Sequence, residues 1–221
     1  MYKIETHLHV AEVSPCGKLP AAEMIRLYAE AGYNTIFVSD HYKRVYFERL
    51  GDIPWEEKTK AFLSGYAKAK RAGKKHGITV LPAVEFSFDG MPNDYLAYGI
   101  SKKFLDTYPE LYQKSIEEFY QIAKKHNLLI IQAHPYRDTS DYPTLDYVDG
   151  IEIYNSNPRH NDNSEKTEKL CENRFLYITA GSDAHRIEDV GGAGLLSEAP
   201  IHTAKDFITL VKSGTAQIYR K

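Results

Sequence analysis

The chain has 221 residues, of which 43% are hydrophobic and 26% charged, with a formal net charge of -2 and a pI near 6.5. This composition is typical of a soluble globular protein with one substantial core, and it predicts a single domain over residues 1–221. It disfavours a tight nucleic-acid binder, because there is no general electrostatic attraction to nucleic acid or to anionic membranes.

The positions of the two cysteines and the hydropathy of the chain indicate in which cellular compartment the protein is expected. Cys16 and Cys171 lie far apart and outside any Cys-x-x-Cys pattern, so neither a disulfide framework nor a thiolate zinc site is indicated. No segment approaches the roughly 18 consecutive apolar residues of a membrane span, and the N-terminus lacks a cationic region followed by an apolar run. We therefore expect a cytoplasmic protein with no membrane partner.

Short apolar runs and amphipathic segments alternate along the chain. The strand YKIETH precedes a helix in PAAEMIRLYAEAGYN, and the strand NTIFVSD, a helix over about 55–76 and the strand ITVLPAVEFSF follow. Next come YLAYGI, a helix in PELYQKSIEEFYQIAKKHN and the strand LLIIQA. GIEIY, a helix around 164–171, a strand ending in YITAG, a helix over about 204–212 and AQIYR complete the order.

The strand composition predicts the fold class. Unbroken apolar runs such as LLIIQA indicate strands buried on both faces, and the intervening helices imply parallel connections. We therefore predict an α/β barrel, distorted because only about seven strand-helix units can be counted. A doubly wound open sheet is the alternative, and it is disfavoured because no G-x-G-x-x-G turn follows the first strand.

Metal-binding types of residue stand where the predicted strands end. They are His7 and His9, Asp40 and His41, Glu85, His134, and Asp183 and His185. Alternate side chains of a strand share a face, and the carboxyl ends of barrel strands converge. Each residue alone is more simply a loop, turn or core residue, but together they predict one metal site.

The motifs THLHV, VSDHY, AVEFS, AHPY and GSDAH occur in this order between residues 6 and 185. They resemble the signature motifs of the PHP superfamily, the polymerase and histidinol phosphatase domain. The resemblance covers nearly the whole chain. It implies a distorted (β/α)7 TIM-like barrel that hydrolyses phosphoesters with two or three divalent metal ions.

When the family motifs are matched to this sequence position by position, the resemblance also implies which residues bind the metal ions. It assigns His7, His9, Glu85 and Asp183 to a first ion, Glu85 and His134 to a second, and His41 and His185 to a third. Asp94 stands where many members have a histidine, and it is either a ligand or a turn residue. After His-x-His the chain offers Glu12 and Cys16, and we favour Glu12 because an oxygen suits the remaining ligands better than a lone thiolate.

Other residues are candidates for substrate contact and proton transfer. Asp40 is interpreted as an acceptor that orients an imidazole, or else as an exposed turn carboxylate. Arg137 and Arg159 could grip phosphate, and His160 could protonate a leaving oxygen. Each of these three could equally be an ordinary surface residue. With the bridging Glu85, Asp40 and His160 form the predicted catalytic set.

The leading hypothesis is a metal-dependent phosphoesterase for a small phosphorylated molecule, such as histidinol phosphate, a nucleotide or a phosphodiester. A metal-bridging hydroxide would attack phosphorus, and the mixed nitrogen and oxygen ligands fit zinc, manganese or iron alike. The alternatives are a proofreading-type 3'-5' nuclease, disfavoured by the negative charge, and a non-catalytic metal-bound scaffold, disfavoured by the intact motifs. The leaving group, native metal and oligomeric state are left open.

Overall fold

The computed structural model describes residues 1–137, 143–172, 174 and 176–221. Its strands are β1 (Tyr2–Glu5), β2 (Thr35–Val38), β3 (His41–Tyr42), β4 (Thr79–Ser87), β5 (Asp94–Tyr98), β6 (Leu129–Gln132), β7 (Gly150–Asn155), β8 (Tyr177–Gly181), β9 (Ala193–Ser197) and β10 (Gln217–Arg220). Its α-helices are α1 (Ala21–Glu30), α2 (Arg44–Arg49), α3 (Trp55–Phe62), α4 (Ser64–His76), α5 (Lys102–Thr107), α6 (Ile116–Lys125), α7 (Ser164–Glu172) and α8 (Ala204–Ser213). Short 3-10 turns lie at Leu111–Gln113 and Ile187–Asp189.

One sheet connects these strands in the order β10-β9-β1-β2-β4-β5-β6-β7-β8, with β3 beside β4. β1, β2 and β4 are parallel to one another, as are β6, β7 and β8. The residues following β1 and β8 also meet, since Leu8 bridges Ala184 and the His9 amide donates to the Ala184 carbonyl at 3.0 Å. The sheet is therefore nearly closed, which confirms the distorted TIM-like barrel and excludes the open sheet.

The barrel departs from regular alternation around β5. β5 is antiparallel to both β4 and β6, and β9 is antiparallel to β1 and β10. The expectation of parallel connections throughout is wrong here, because no helix separates β4 from β5. As a result the start of β5, where Asp94 pairs with Ser87, lies beside the carboxyl end of β4.

Local capping signals set several helix boundaries. Ser115 and Thr203 each accept a hydrogen bond from the third residue of the helix that follows, in capping boxes at α6 and α8. Gly77 ends α4 with a left-handed conformation that favours glycine. The segment expected to form one helix over 55–76 is two helices, since α3 ends at Phe62 and α4 begins at Ser64, with Leu63 between them.

The barrel interior is filled by side chains from most of its strands and from α8. Phe207 of α8 packs against Phe37 and Tyr98, with ring centroids 4.4 and 4.7 Å away. All four residues of β2 and of β6 are buried, as the apolar run LLIIQA indicates. This packed core gives the strand ends a rigid base.

In the described ranges no helix has both the length and the apolar character to cross a membrane.

Candidate metal centre

The strand-end residues lie together on one face of the barrel. The Nε2 atoms of His7 and His9 are 3.1 Å apart, and Glu85 Oε1 is 3.2 Å from His7 Nε2 and 3.1 Å from His134 Nε2. Asp183 Oδ1 is 3.2 Å from His9 Nε2. These five side chains are at most 1% exposed. Residues nearly the whole chain apart in sequence thus form one buried cluster.

Four overlapping groups within this cluster could each hold an ion, because their nitrogen and oxygen atoms lie within 4.8 Å of one another. They are His9, His41 and His185; His7, His9 and Glu85; His7, His134 and Asp183; and Glu85, Asp94 and His134. His41 and His185, the residues predicted to hold the third ion, lie in one group with His9. The structure therefore brings these eight residues together, and their role as ligands remains a prediction.

Unpartnered atoms inside the cluster show that the residues present fit metal ions. Across the described part of the chain, His41 Nδ1, Glu85 Oε2 and His134 Nδ1 are buried without a hydrogen-bond partner. His41 Nδ1 and Glu85 Oε2 are 2.5 Å apart. Buried polar atoms are normally hydrogen-bonded, and leaving one unpaired costs about 1–3 kcal/mol. Coordination of a cation would satisfy these atoms, and imidazole and carboxylate are suitable donors.

Two of the cluster residues have a strained backbone. His134 has φ 28° and Asp183 has φ 50°, which are uncommon for residues other than glycine. Hydrogen bonds hold both in place: the His134 amide donates to Glu152 at 3.0 Å, and Asn157 Nδ2 donates to the Asp183 carbonyl at 3.1 Å. Strain of about 1–3 kcal/mol per residue is found most often at functional sites.

Buried carboxylates behind the cluster fix the orientation of its imidazoles. Glu152 Oε1 is 3.0 Å from His7 Nδ1, and Glu152 Oε2 accepts from Asn155 Nδ2 as well as from the His134 amide. The sequence analysis missed Glu152. The available signal was a charged residue inside the apolar strand GIEIY, where an unpaired carboxylate would be costly.

Glu5 at the end of β1 has a similar position and was also missed. It accepts hydrogen bonds from the His7 amide at 2.9 Å, the Ser182 hydroxyl at 2.6 Å and the Tyr28 hydroxyl at 2.8 Å. Burial raises the pKa of Glu5 to about 7, although the hydrogen bonds from Ser182 and His7 oppose the change. Glu5 thus ties the His7 segment to the residue that precedes Asp183.

Asp40 acts on an imidazole through a hydroxyl group. Its Oδ1 accepts from the Val10 amide at 2.9 Å and from Ser14 Oγ at 2.7 Å, and Ser14 Oγ lies 3.3 Å from His9 Nδ1. Asp40 is only 3% exposed, which excludes the alternative of an exposed turn carboxylate. Asp40 therefore lies behind Ser14 and does not line the cavity, and its role in orienting His9 remains a prediction.

The imidazoles and carboxylates of the cluster change one another's pKa values. Burial, with the charges of His41 and His185, holds the pKa of His9 well below its usual range, so its ring is a neutral ligand. Burial opposes ionisation of Glu85, but the charges of His41 and His7 hold its pKa well below its usual range. His9 and Glu85 are thus in the forms that a divalent ion requires. Although burial opposes it, the charge of Glu85 raises the pKa of His41 to about 10, so this ring would release its proton when an ion binds.

The structure does not bring Glu12 to the cluster. Its carboxylate accepts from the Ala21 amide at the start of α1, at 2.9 Å, and lies 3.6 Å from Lys68 Nζ. Cys16 instead lines the cavity beside His41 and His185. Although burial raises it, hydrogen bonds to His185 and His41 lower the pKa of the Cys16 thiol to about 6. The loop after His-x-His turns Glu12 toward α1, which its spacing from His9 does not reveal.

A cavity of about 400 Å³ opens above the cluster. Its lining includes the cationic residues Lys18, Lys43, Arg137, Arg159 and Arg186. Arg137 lies 3.2 Å from Asp183 and 3.5 Å from Asp94. Arg159 donates two hydrogen bonds, of 2.7 and 2.8 Å, to Asp189, which also accepts from the His185 amide. Both arginines are thus already paired with carboxylates, while their predicted contact with phosphate remains a prediction.

His160 also lines this cavity. Burial and the charge of Arg137 lower the pKa of His160 from its usual value. A lower pKa leaves less of the ring protonated near neutral pH, which weakens the interpretation of His160 as a general acid. Its position above the cluster fits a hydrogen bond to substrate.

Comparison with known proteins agrees with this architecture. Residues 160–216 match the family model for the PHP-associated region. No curated protein matches the chain. A solved two-domain protein from Bacteroides vulgatus ATCC 8482, described as containing a predicted PHP-like metal-dependent phosphoesterase, superimposes with a TM-score of 0.71 at 16% identity. That match covers 99% of this chain, which spans 64% of the length of the Bacteroides protein.

Two further solved structures have the same fold. PsfC from Pseudomonas syringae PB-5123 matches with a TM-score of 0.68 at 18% identity, over 94% of this chain and 88% of PsfC. An amidohydrolase from Chromobacterium violaceum, with bound sulfate and no metal, matches with a TM-score of 0.61 at 16% identity, over 98% and 97% of the two chains.

The nearly closed barrel has the fold of these solved structures, and histidines and carboxylates are gathered at its strand ends. The family-model match over residues 160–216 and the ordered motifs support the resemblance to the PHP superfamily.

Proposed function

We propose that residues 1–221 form one catalytic domain that hydrolyses a phosphoester of a small molecule with the help of divalent metal ions. The observation that carries the proposal is the buried cluster with unpartnered donor atoms, at the floor of a cavity with cationic walls. A cluster that binds cations, below a rim that attracts anions, suits a substrate whose reacting group is a phosphate.

The residues that would hold the ions follow the four groups described above. His7, His9, Glu85 and Asp183 would hold a first ion, Glu85, Asp94 and His134 a second, and His41 with His185 a third. Zinc, manganese and iron all accept this mixture of nitrogen and oxygen donors. When bound, such ions lower the pKa of water toward neutrality and neutralise the charge on phosphoryl oxygens.

Glu85 would hold neighbouring ions at a set spacing, because its two oxygens face different imidazoles. Oε1 lies near His7 and His134, and Oε2 near His9 and His41. The pairing of His41 with Glu85 across β3 and β4 fixes this arrangement through the backbone register. One carboxylate thus joins donor groups that come from three parts of the chain.

The rim would bind and orient the substrate. Lys18, Lys43 and Arg186 present positive charge around the cavity, and Arg137 places a guanidinium directly against Asp94 and Asp183. A phosphate that enters the site would compete with these carboxylates for Arg137, and paired N–H donors suit its oxygens. His160 would donate or accept a hydrogen bond at the leaving-group oxygen.

The similarity to other proteins supports this proposal. The Bacteroides protein is described as containing a PHP-like metal-dependent phosphoesterase, and the Chromobacterium amidohydrolase holds a sulfate ion.

The test is a substrate panel with protein that has been reconstituted separately with zinc, manganese and iron. The panel contains phosphomonoesters, including histidinol phosphate and nucleotides, together with phosphodiesters and a single-stranded DNA oligonucleotide. We expect turnover of a small phosphoester by wild type and none above background by Glu85→Gln. Cleavage of the oligonucleotide alone would favour the nuclease, and no turnover by fully loaded protein would favour the non-catalytic scaffold.

A further inference from the structure

We propose that the sulfur of Cys16 is a ligand of the ion held by His41 and His185. This inference rests on the metal centre of the proposed function and adds a sulfur donor to it. The ion would have a mixed sulfur and nitrogen site, unlike the two ions whose sites include Glu85 with Asp183 or Asp94.

The loop that carries Cys16 is fixed against the cluster by backbone hydrogen bonds. The Lys18 amide donates to the His185 carbonyl at 2.7 Å, and the Gly17 amide donates to the Ser14 carbonyl at 2.9 Å. A Cβ atom at Gly17 would lie 2.9 Å from the backbone carbon of Val10, so only glycine allows this close approach. The tight turn therefore places Cys16 directly beside His185.

The side chains around Cys16 form an incomplete set of donors. The nitrogen atoms of His9, His41 and His185 lie within 4.8 Å of one another, and Cys16 lines the same cavity as the last two residues. His41 Nδ1 is one of the buried atoms with no hydrogen-bond partner in the described chain. His9 Nε2 already faces Glu85 and Asp183, so His41, His185 and Cys16 would offer this ion three donors, the number that a catalytic zinc site uses beside its open position.

The chemistry of the donors distinguishes this ion from its neighbours. Thiolate and imidazole favour zinc and other borderline or soft ions, whereas carboxylates also accept manganese. The thiol must lose its proton to bind, so the anionic sulfur replaces the charge that a carboxylate would bring, and the proton passes to solvent. We therefore expect this position to select zinc or cobalt over manganese.

Cobalt(II) provides a direct test, because a thiolate bound to cobalt produces a near-ultraviolet charge-transfer band that nitrogen and oxygen ligands do not. Reduced full-length protein is loaded with cobalt, and its spectrum and bound cobalt are measured together. We expect the band in wild type, in Cys171→Ser and in Glu12→Gln, and its loss in Cys16→Ser. Cys171 is a matched control, since it lies half-buried on α7 and does not line the cavity.

Thiol alkylation gives a second readout that does not depend on a spectrum. Both cysteines are free, so iodoacetamide labelling followed by peptide mass spectrometry reports each one separately. Zinc should slow the labelling of Cys16 at least about tenfold and leave that of Cys171 unchanged, because a metal-bound sulfur is a poorer nucleophile. Manganese should protect Cys16 less than zinc does.

The outcomes separate this inference from the proposed function. Bound cobalt without a charge-transfer band, or a band that persists in Cys16→Ser, would overturn the role of Cys16 and leave the rest of the metal centre intact. Failure to bind any cobalt, zinc or manganese would overturn both proposals. A clear band in protein that hydrolyses no phosphoester would support the sulfur ligand and contradict the proposed activity.

Discussion

The floor of the site and its rim are held in place by different means. On the floor, His7, Glu85 and Asp183 are buried at strand ends, and the buried carboxylates Glu5 and Glu152 bind the floor segments from behind. The rim consists of loops whose long cationic side chains reach toward solvent. The floor is therefore ordered before any substrate arrives, whereas rim side chains lose rotamer freedom when they bind. We infer that the floor determines the reaction and the rim determines the substrate.

The largest effect is expected from Glu85→Gln, which removes charge from the centre of the floor. Activity should fall by more than the roughly 100-fold that follows loss of a residue supporting a metal ligand, and bound metal should decrease. Arg159→Ala on the rim should retain more activity, because Arg159 contacts Asp189 rather than the cluster. Steady-state kinetics and elemental analysis on the same samples check this order. Near-normal turnover and metal content in Glu85→Gln would contradict the bridging role.

Two carboxylates with different positions give the next comparison. Asp94 lies with Glu85 and His134, whereas Glu12 binds the amide at the start of α1. We expect Asp94→Asn to lose one ion and, on the order of 100-fold, hydrolytic activity, while Glu12→Gln keeps its metal and loses stability instead. Metal content and thermal melting distinguish the two. An Asp94→Asn protein with a full complement of metal would show that Asp94 is only a turn residue.

Glu152→Gln tests whether the floor depends on the carboxylate behind it. The amide keeps the shape of the side chain but loses the charge that faces His7 Nδ1 and the His134 amide. Metal affinity should decrease by about 10- to 100-fold while the fold is retained. Titration with a competing chelator measures the affinity, and circular dichroism checks the fold. If affinity stayed at the wild-type level, preorganisation by Glu152 would be refuted.

The smallest effect is expected from rim charges, and Lys43→Ala is the test. Its side chain lines the cavity and adds positive charge to the rim. KM should rise by about 2- to 10-fold with little change in kcat, and the difference should decrease at high salt because partly exposed charges are screened. Kinetics at two ionic strengths provide the measurement. A large loss in kcat would show that Lys43 takes part in the reaction, which would contradict the separate roles of floor and rim.

Most of the floor could be predicted from the sequence, because parallel strands bring their carboxyl ends to one face. His7, His9, His134 and Asp183 follow predicted strands, and Glu85 lies near the end of another. The supporting carboxylates Glu5 and Glu152 were missed, because a single acidic residue in a strand does not indicate which residue it contacts. Their importance comes from burial, which depends on packing against other strands.

The sequence by itself determined the barrel class and the main cluster, because strand and helix periodicities and strand-end residues are properties of short segments. The positions of side chains that depend on where the chain reverses direction were decided only by the tertiary structure. Asp94 reaches the cluster because β5 is antiparallel to β4, so the start of that strand lies at the functional face. Likewise Cys16, rather than Glu12, points to the histidines, since the loop is turned by hydrogen bonds to residues more than 160 positions away. Such long-range contacts leave no periodic pattern in the chain.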